Sequence, residues 1–302
     1  MTYISRRDFL KDAALAAGAL ALGPQALAAD QVAKTRVVVV TCPDVLAKDG
    51  PVNAGALRKM MDAGISALFG KRDVKEAWKT YIKPTDTVAL ADSGTWLLNV
   101  PEVLTEIMRG VSLAGPKSAT LTYCAMDETH TDYLGKIRDG LKTLEFAPSV
   151  MDGSVYTIRS QYHTKNYSSL IVAPTIKSHP IAGVSGVVKH LSTMSKGGPA
   201  PHHPNAMESA GAVIVPEFGK MKQLYVVDGL RWGPPAGPHY YQKSLIFSTD
   251  PVAADVVALD LFLKNCKTHG EIPPDRHRVL ADTKYKAGTS DKSKMDIRQI
   301  RV

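Results

Sequence analysis

Apolar residues occur in this chain in two patterns, short continuous runs and longer stretches with helical spacing. Arg36–Thr41 is a run of β-branched residues and predicts a buried strand. Apolar side chains in Asn53–Phe69 recur every three or four positions, which predicts a helix that Gly70 ends. Further strands are predicted at Thr87–Ala91, Ser118–Ala125, Val155–Arg159, Leu170–Ala173, Leu224–Asp228, Leu245–Ser248 and Ile297–Val302. Further helices are predicted at Val74–Tyr81, Pro101–Leu113, a segment ending near Leu144, Asn205–Phe218 (with or without a short strand), Val252–Leu263 and Asp275–Tyr285.

This alternation of strands and helices indicates an α/β fold. We expect a layered, mainly parallel or mixed sheet flanked by helices, in one or two lobes. Ligands of such sheets bind beyond the carboxyl ends of the strands. The polar residues that follow predicted strands should therefore lie near one another, and these are Asp92, Asp127, Lys177 and His179.

The stretch from Leu170 to Pro204 concentrates basic and metal-capable side chains. Its apolar start predicts a strand that breaks at Pro174. We expect a loop to follow, carrying Lys177 and His179, because proline cannot donate to a sheet ladder. Loops held by a rigid sheet are frequent places for binding and catalytic residues.

Two lysines in this stretch suit an anionic ligand such as a carboxylate or phosphate. Lys177 and Lys189 flank Gly183 and Gly186, which let a backbone or a ligand approach closely. Solvated lysines on loops are the alternative interpretation. If the basic residues converge with an aspartate, acid–base chemistry on a bound organic acid follows. The candidate catalytic residues are Lys177, His179, Lys189 and Asp228.

Histidines also cluster here, since six of the nine lie between His163 and His239. Imidazoles are suitable ligands for a first-row divalent metal ion. The candidate metal ligands are His179, His190, His202 and His203. No pair among them has H-x-H or H-x-x-x-H spacing, and the adjacent pair cannot easily face one ion from extended backbone. For each of these histidines, we give equal weight to the alternative that it is a surface residue and binds no metal.

Two aspartates near the C-terminal half have defined helix positions. Asp250 precedes Pro251, and this pair predicts the start of a helix. The helix Val252–Leu263 is nearly all apolar, so it must be buried on more than one side. Asp255 lies on an apolar face and needs a partner. We favour a partner in the core, either a basic residue or backbone N–H donors. The alternative is that Asp255 faces a ligand site.

The N-terminus has the features of a twin-arginine export signal. Arg6 and Arg7 precede the alanine-rich stretch Ala13–Leu22, and Ala26–Ala28 has the small-x-small pattern of a cleavage site. We expect residues 1–28 to be a signal peptide recognised by the twin-arginine translocation machinery, and residues 29–302 to form the α/β domain in the periplasm. The apolar stretch is shorter than the roughly 20 residues of a membrane-spanning helix, so no permanent span is expected.

Composition excludes several classes of protein. The net charge of +8 is scattered along the chain, with no aromatic and basic stripe for nucleic acid. The three cysteines, Cys42, Cys124 and Cys266, include no C-x-x-C pair, so we expect neither an iron–sulfur cluster nor a complete disulfide framework. Buried packing is the favoured role of these thiols.

Two segments resemble a known family. Residues 171–190, IVAPTIKSHPIAGVSGVVKH, are similar to the K-x-H and G-V-[ST]-G-x-x-K-N pattern of the domain of unknown function 362 family. Residues 224–238, LYVVDGLRWGPPAGP, and 245–260, LIFSTDPVAADVVALD, resemble the strand-Asp-Gly and DPVA-x-D segments of the same family. The likeness covers roughly Val155–Val302. This chain departs from the family at His190, where asparagine is usual, and it lacks the ferredoxin-type cysteines of some members.

What the resemblance implies about function is limited to a set of motif residues. It selects Lys177, His179, Gly183, Lys189, Asp228, Asp250 and Asp255. The candidate cofactor-binding residues are Gly183, Gly186, Asp250 and Asp255. We expect an exported protein that binds a divalent metal ion, an anionic cofactor or an anionic substrate in a cleft at the strand ends, as a cofactor-dependent enzyme. A non-catalytic periplasmic protein that binds a metal or a ligand is the alternative.

Overall fold

The apolar runs form strands because both faces of the sheet are covered. In the computed structural model the first strand, β1 (Thr35–Thr41), directs Val38 and Val40 into one core. It directs Val37 and Val39 into a second core on the opposite face. Side chains alternate across a strand, so a continuous apolar run is what burial on both faces requires.

The structure describes residues 33–47, 50–93, 97, 99–122, 147–149, 166–194, 218–234, 239–267 and 270–302. The strands after β1 are β2 (Thr87–Ala91), β3 (Ser118–Thr122), β4 (Ala147–Ser149), β5 (Ser169–Val172), β6 (Thr175–His179), β7 (Gly183–Ser185), β8 (Lys222–Gly233), β9 (Ser244–Ser248) and β10 (Met295–Arg301). The helices are α1 (Ala54–Phe69), α2 (Val74–Tyr81), α3 (Pro101–Ala114), α4 (Val187–Leu191), α5 (Pro251–Asn265) and α6 (Arg276–Thr283). Short 3₁₀ turns cover Ser192–Met194 and Lys292–Lys294.

The described strands form one mixed sheet in the order β10-β1-β9-β8-β5-β2-β3-β4. Neighbours run parallel except at β9, which is antiparallel to both β1 and β8. The hairpin of β6 and β7 joins the sheet beside the distal part of β8. This arrangement confirms the α/β fold with a mixed sheet that the sequence predicts.

Helices cover the two faces separately. One core contains residues of α1, α2 and α3 together with β1, β2, β8 and β9. The other contains residues of α4 and α5 together with β5, β6 and the opposite faces of the same central strands. Two glycines allow close packing in the first core, because an added Cβ would clash with the ring of Phe247 at Gly64 and with that of Trp78 at Gly110.

Helix boundaries follow the predicted signals. Asn53 accepts the backbone N–H of Ala56 and caps α1, and Gly70 ends the helix in the left-handed conformation. Asp250 accepts the N–H groups of Val252 and Ala253 and begins α5 as predicted. Helix α5 contributes to more than one core cluster, which agrees with its nearly continuous apolar sequence.

The predicted loop after Pro174 is wrong in one respect, because Lys177 and His179 lie in strand β6. Pro174 ends the pairing of β5, and its carbonyl then accepts the N–H of Asp228 at 2.9 Å. This bond directs the chain alongside β8, where Thr175 pairs with Asp228. Strand β8 therefore continues to Gly233 instead of ending at Asp228.

Some expectations fall outside the described residues. These are the strand Val155–Arg159, the helix ending near Leu144, all of Asn205–Phe218 except its last residue, Asp127, Cys124 and the signal segment 1–28. Residues Thr35–Val302 form one compact unit. Cys42 and Cys266 are free and buried. No helix in the described part of the chain has the length and apolar character to cross a membrane.

Candidate anion-binding site

The site lies where the central strands end. Ser93 follows β2, Asn99 precedes α3, and β6 continues from β5 past Pro174. Parallel pairing of β2, β5 and β8 brings these ends to one edge of the sheet. The polar side chains at this edge are almost completely buried.

Asp228 is the central carboxylate of this edge. Its Oδ2 accepts the N–H of Val100 at 2.7 Å and the side-chain amide of Asn99 at 3.4 Å, and its Oδ1 accepts the N–H of Leu230 at 3.1 Å. Burial raises the pKa of Asp228 to about 6, although these hydrogen bonds and the nearby Arg231 act in the opposite direction. The carboxyl group therefore changes charge close to neutral pH.

Lys177 extends from β6 into a row of neutral oxygen atoms. Its Nζ donates to Ser93 Oγ at 3.1 Å, and Leu97 O and Thr175 Oγ1 each lie at 3.4 Å. Thr175 donates to Leu97 O at 2.8 Å, so the 2.9 Å contact between the two hydroxyls is donated by Ser93. The N–H of Ser93 donates to Asn99 Oδ1 at 2.6 Å, which links this row to the Asp228 carboxylate.

His179 has a defined tautomer. Its Nδ1 accepts the N–H groups of Ile181 at 3.2 Å and Ala182 at 3.0 Å. A nitrogen that accepts hydrogen bonds carries no proton, so in the neutral ring the proton is on Nε2. The turn after β6 therefore fixes the orientation of the imidazole and the atom that donates.

Lys189, on α4, is a buried cation with no counter-ion among the described residues. The residue is 6 % exposed. No hydrogen bond or ion pair joins its ammonium group to any part of the chain that the structure describes. Burial lowers its pKa to about 8, because removal from water disfavours the charged form.

His190 interacts electrostatically with both Lys177 and Lys189. Burial lowers its pKa to about 3, and Lys177 and Lys189 both contribute to this shift. A hydrogen bond to the backbone of Asp92 acts in the opposite direction and connects α4 to the end of β2. The ring is therefore neutral at physiological pH. Asp92, which the sequence places near the site, contacts it through its backbone.

His277, at the start of α6, is a site residue that the sequence does not reveal. It is 2 % exposed, and neither ring nitrogen makes a hydrogen bond within the described structure. Burial lowers its pKa well below the usual range, and Arg278, Lys189 and His179 lower it further. These interactions place His277 close to Lys189 and His179, which precede it by 88 and 98 residues in the chain.

Lys177, His179, Lys189, His190 and His277 are called the basic cluster below. All five are buried and come from β6, α4 and α6. Electrostatic contacts connect them in the order Lys177, His190, Lys189, His277 and His179. A buried group of this kind attracts an anion, because negative charge compensates lysines that are removed from water.

Asp255, a predicted cofactor-binding residue, forms a buried ion pair. Arg278 Nε lies 3.1 Å from Asp255 Oδ2, and the two side chains are 1 % and 0 % exposed. The carboxylate also accepts the N–H groups of Val187 at 2.8 Å and Val188 at 3.1 Å. These contacts agree with the favoured expectation that Asp255 has core partners, here a basic residue and backbone N–H donors.

The other predicted cofactor-binding residues also have contacts within the chain. A Cβ on Gly186 would lie 1.9 Å from Asp255 Oδ1, so this glycine allows the aspartate to reach the start of α4. Gly183 has a positive φ of 69°, and a Cβ there would lie 2.9 Å from the carbonyl of Ile272. Asp250 accepts the N–H of Thr289 in addition to capping α5.

Metal binding is not favoured by the described geometry. Among the residues with described positions, no group of three or more histidine, cysteine, aspartate and glutamate side chains is arranged to hold a metal ion. His179 and His190 are placed in the basic cluster, whereas His202 and His203 lie outside the described residues. The neighbours of the two described histidines are mainly cationic, which suits an anionic ligand better than a metal ion.

Sequence reasoning did not identify five residues of the candidate site and its surroundings, namely Ser93, Asn99, Thr175, His277 and Arg278. Ser93 follows a predicted strand, so its position was a usable signal. His277 stands alone in an ordinary helix sequence, and no local pattern distinguishes it from a surface histidine.

Comparisons with known proteins give a family for part of the chain. No curated protein matches the sequence. One similar solved structure is a Thermotoga maritima structural genomics target, with 11% identity, a TM-score of 0.42, and coverage of 72% of this chain and 61% of that one. Another is the lactate racemase apoprotein from Thermoanaerobacterium thermosaccharolyticum, with 11% identity, a TM-score of 0.35, and coverage of 63% and 50%. The chain therefore spans about three fifths and half of the lengths of these two proteins. Residues 141–260 match the family model of the domain of unknown function DUF362, so a DUF362 domain is found in this part of the chain.

Proposed function

We propose that the basic cluster binds a small anion, such as a carboxylate or a phosphate group. The observation that carries the proposal is Lys189, a buried ammonium group without an acceptor among the described residues. Burying an unpaired charge costs several kcal/mol, so its retention calls for a compensating partner. His277, whose ring nitrogens are also buried without hydrogen bonds in the described structure, supports the same position for the ligand.

Isothermal titration calorimetry with inorganic phosphate and with acetate tests this proposal. We expect at least one of the two anions to bind, and Lys189→Met to weaken its binding at least tenfold. Lys264→Met removes a lysine from the exposed end of α5 and is the matched control, with unchanged affinity. Absence of binding for both anions, or equal affinity of Lys189→Met and the wild type, contradicts the proposal.

Proton uptake gives a second measurement that a purely structural lysine would not affect. With a pKa of about 8, Lys189 is half deprotonated at pH 8. A bound anion stabilises the charged form, so binding at this pH should take up protons. The observed enthalpy would then differ between buffers with different ionisation enthalpies, and Lys189→Met would abolish the difference.

Acid–base catalysis on the bound anion is a second candidate function. Asp228 and Lys189 have pKa values of about 6 and about 8, on the two sides of neutrality. Groups of this kind are suited to accept and donate protons at physiological pH. Incubation with pyruvate or malonate in D₂O tests this, since a base that removes a carbon-bound proton leads to deuterium incorporation. An incorporation rate equal to that of buffer alone would exclude these two acids as substrates and leave the binding function.

Metal binding remains the competing use of the histidines. Elemental analysis of the purified protein distinguishes the two. A stoichiometric metal ion that is lost in His179→Ala would replace the anion proposal with a metal site, whereas we expect a metal content that His179→Ala leaves unchanged.

We further propose that the chain is exported by the twin-arginine route and acts in the periplasm. The arginine pair and the alanine-rich segment after it support this proposal. Replacing Arg6 and Arg7 by lysine should retain the full-length precursor in the cytoplasm. A periplasmic fraction that is unchanged by this double substitution would contradict the export proposal and leave the anion site unaffected.

A further inference from the structure

A cavity of about 360 Å³ lies at the same edge of the sheet as Asp228, and it is separate from the basic cluster. Its volume lies within the range of small-molecule sites, which is about 300 to 1,000 Å³. It is formed by the segment after β1, the first turn of α3, the distal part of β8 and the approach to β9. The described lining residues are Leu46, Gly50, Pro51, Val52, Val100, Pro101, Glu102, Arg231 and Tyr241.

Two opposite charges line this cavity without compensating each other. Arg231 and Glu102 make neither an ion pair with one another nor a hydrogen bond or ion pair with another described side chain. Both are half-buried, and Arg231 Nε is fully buried without a hydrogen bond within the described structure. Opposite charges on the walls of a cavity attract the complementary groups of one ligand more strongly than they would in open water.

We propose that this cavity binds a zwitterionic amino acid. Arg231 receives the carboxylate, because a guanidinium group presents paired donors that match carboxylate geometry. Glu102 receives the ammonium group, and the apolar wall formed by Leu46, Val52 and Tyr241 contacts an aliphatic or aromatic side chain. A ligand with only one of the two charged groups would leave the other charged side chain without a direct ion-pair partner.

The cavity site does not depend on the proposed function of the basic cluster, since the two share no residue. The cavity wall contacts Asp228, whose carboxylate accepts the N–H of Val100. Arg231 also acts on this carboxylate and lowers its pKa. A ligand bound in the cavity should therefore change the pKa of Asp228, although the residues that contact the ligand lie elsewhere.

Calorimetry with three related probes tests the proposal. L-leucine carries both charges, 4-methylpentanoate lacks the amine, and 3-methylbutylamine lacks the carboxylate. We expect L-leucine to bind at least tenfold more tightly than either of the other two. Equal affinities for L-leucine and 4-methylpentanoate would reduce the site to a carboxylate site, and no binding of L-leucine would remove it; both results overturn the proposal.

Charge variants assign the two contacts separately. Arg231→Met should weaken L-leucine binding at least tenfold. Glu102→Gln should reduce the preference for L-leucine over 4-methylpentanoate to less than threefold. Lys264→Met, at the exposed end of α5, should leave L-leucine affinity unchanged. If Glu102→Gln, verified as folded by thermal unfolding, keeps the full preference, Glu102 does not hold the ammonium group and the proposal is wrong.

Discussion

Asp255 and Lys189 are buried charges in neighbouring parts of the same fold, and their surroundings differ in kind. Asp255 is paired with Arg278 and accepts the N–H groups of Val187 and Val188. Lys189, two residues after Val187, has no described partner. The first charge holds α4, α5 and α6 together, whereas we propose that the second binds a ligand.

This difference distinguishes a charge that is satisfied within the fold from one that has no counter-ion among the described residues. Removal of a charge from a satisfied network leaves its partners buried and unpaired. Removal of an uncompensated charge relieves a desolvation cost instead. The two substitutions should therefore change stability in opposite directions, although both remove one buried charge.

The largest effect is expected for Asp255→Ala. This change leaves Arg278 without its counter-ion and two backbone N–H groups without an acceptor, so the free energy of unfolding should fall by about 3 to 5 kcal/mol. Chemical denaturation measures it. Asp260→Ala, on the same helix, removes a more exposed partner of Lys292 and should cost less than about 1 kcal/mol. Equal losses for both variants would mean that the buried pair contributes no more to the free energy of unfolding than the exposed pair.

Lys189→Met should increase stability at pH 7. The pKa of Lys189 falls from 10.5 in the unfolded chain to about 8 in the folded chain, so its charge opposes folding fully below pH 8. The penalty disappears as pH rises from 8 to 10.5. We expect a gain of at most about 3 kcal/mol at pH 7, decreasing towards pH 10. Unfolding curves that show a loss at pH 7, or a gain independent of pH, would contradict an uncompensated lysine.

His277→Phe should weaken the affinity of the basic cluster for its anion by roughly tenfold, which corresponds to about 1.4 kcal/mol. The substitution removes two ring nitrogens, neither of which makes a hydrogen bond within the described chain, so stability should change little. Calorimetry and thermal unfolding on one preparation measure both quantities. Unchanged affinity would place His277 outside the ligand site and leave Lys189 as its main contact.

The smallest effect is expected at the carboxyl group of Asp228. Its ¹³C resonance should titrate with a midpoint of about pH 6. Arg231 lowers this pKa, so Arg231→Met should move the midpoint upwards. An NMR titration of both proteins measures the difference. A midpoint near 4 in the wild type would mean that hydrogen bonds from Val100 and Leu230 outweigh burial.

Much of the fold is predictable because its determinants are local. Runs such as Arg36–Thr41 and Thr87–Ala91 are recognisable as strands, since burial on both faces requires continuous apolar sequence. The boundaries of α1 follow from Asn53 and Gly70, and that of α5 from Asp250. Strand β6 was missed because its pairing with β8 is decided by residues 53 to 56 positions away.

The sequence by itself determined the α/β class, most described element boundaries and the segment that contributes Lys177, His179 and Lys189 to the candidate site. Tertiary structure alone decided the partner of each buried charge. Arg278 reaches Asp255 across a chain separation of 23 residues, and His277 comes close to Lys189 through the same helix. Local sequence patterns encode burial and backbone conformation, whereas compensation of a buried charge depends on which distant side chains the fold brings within contact.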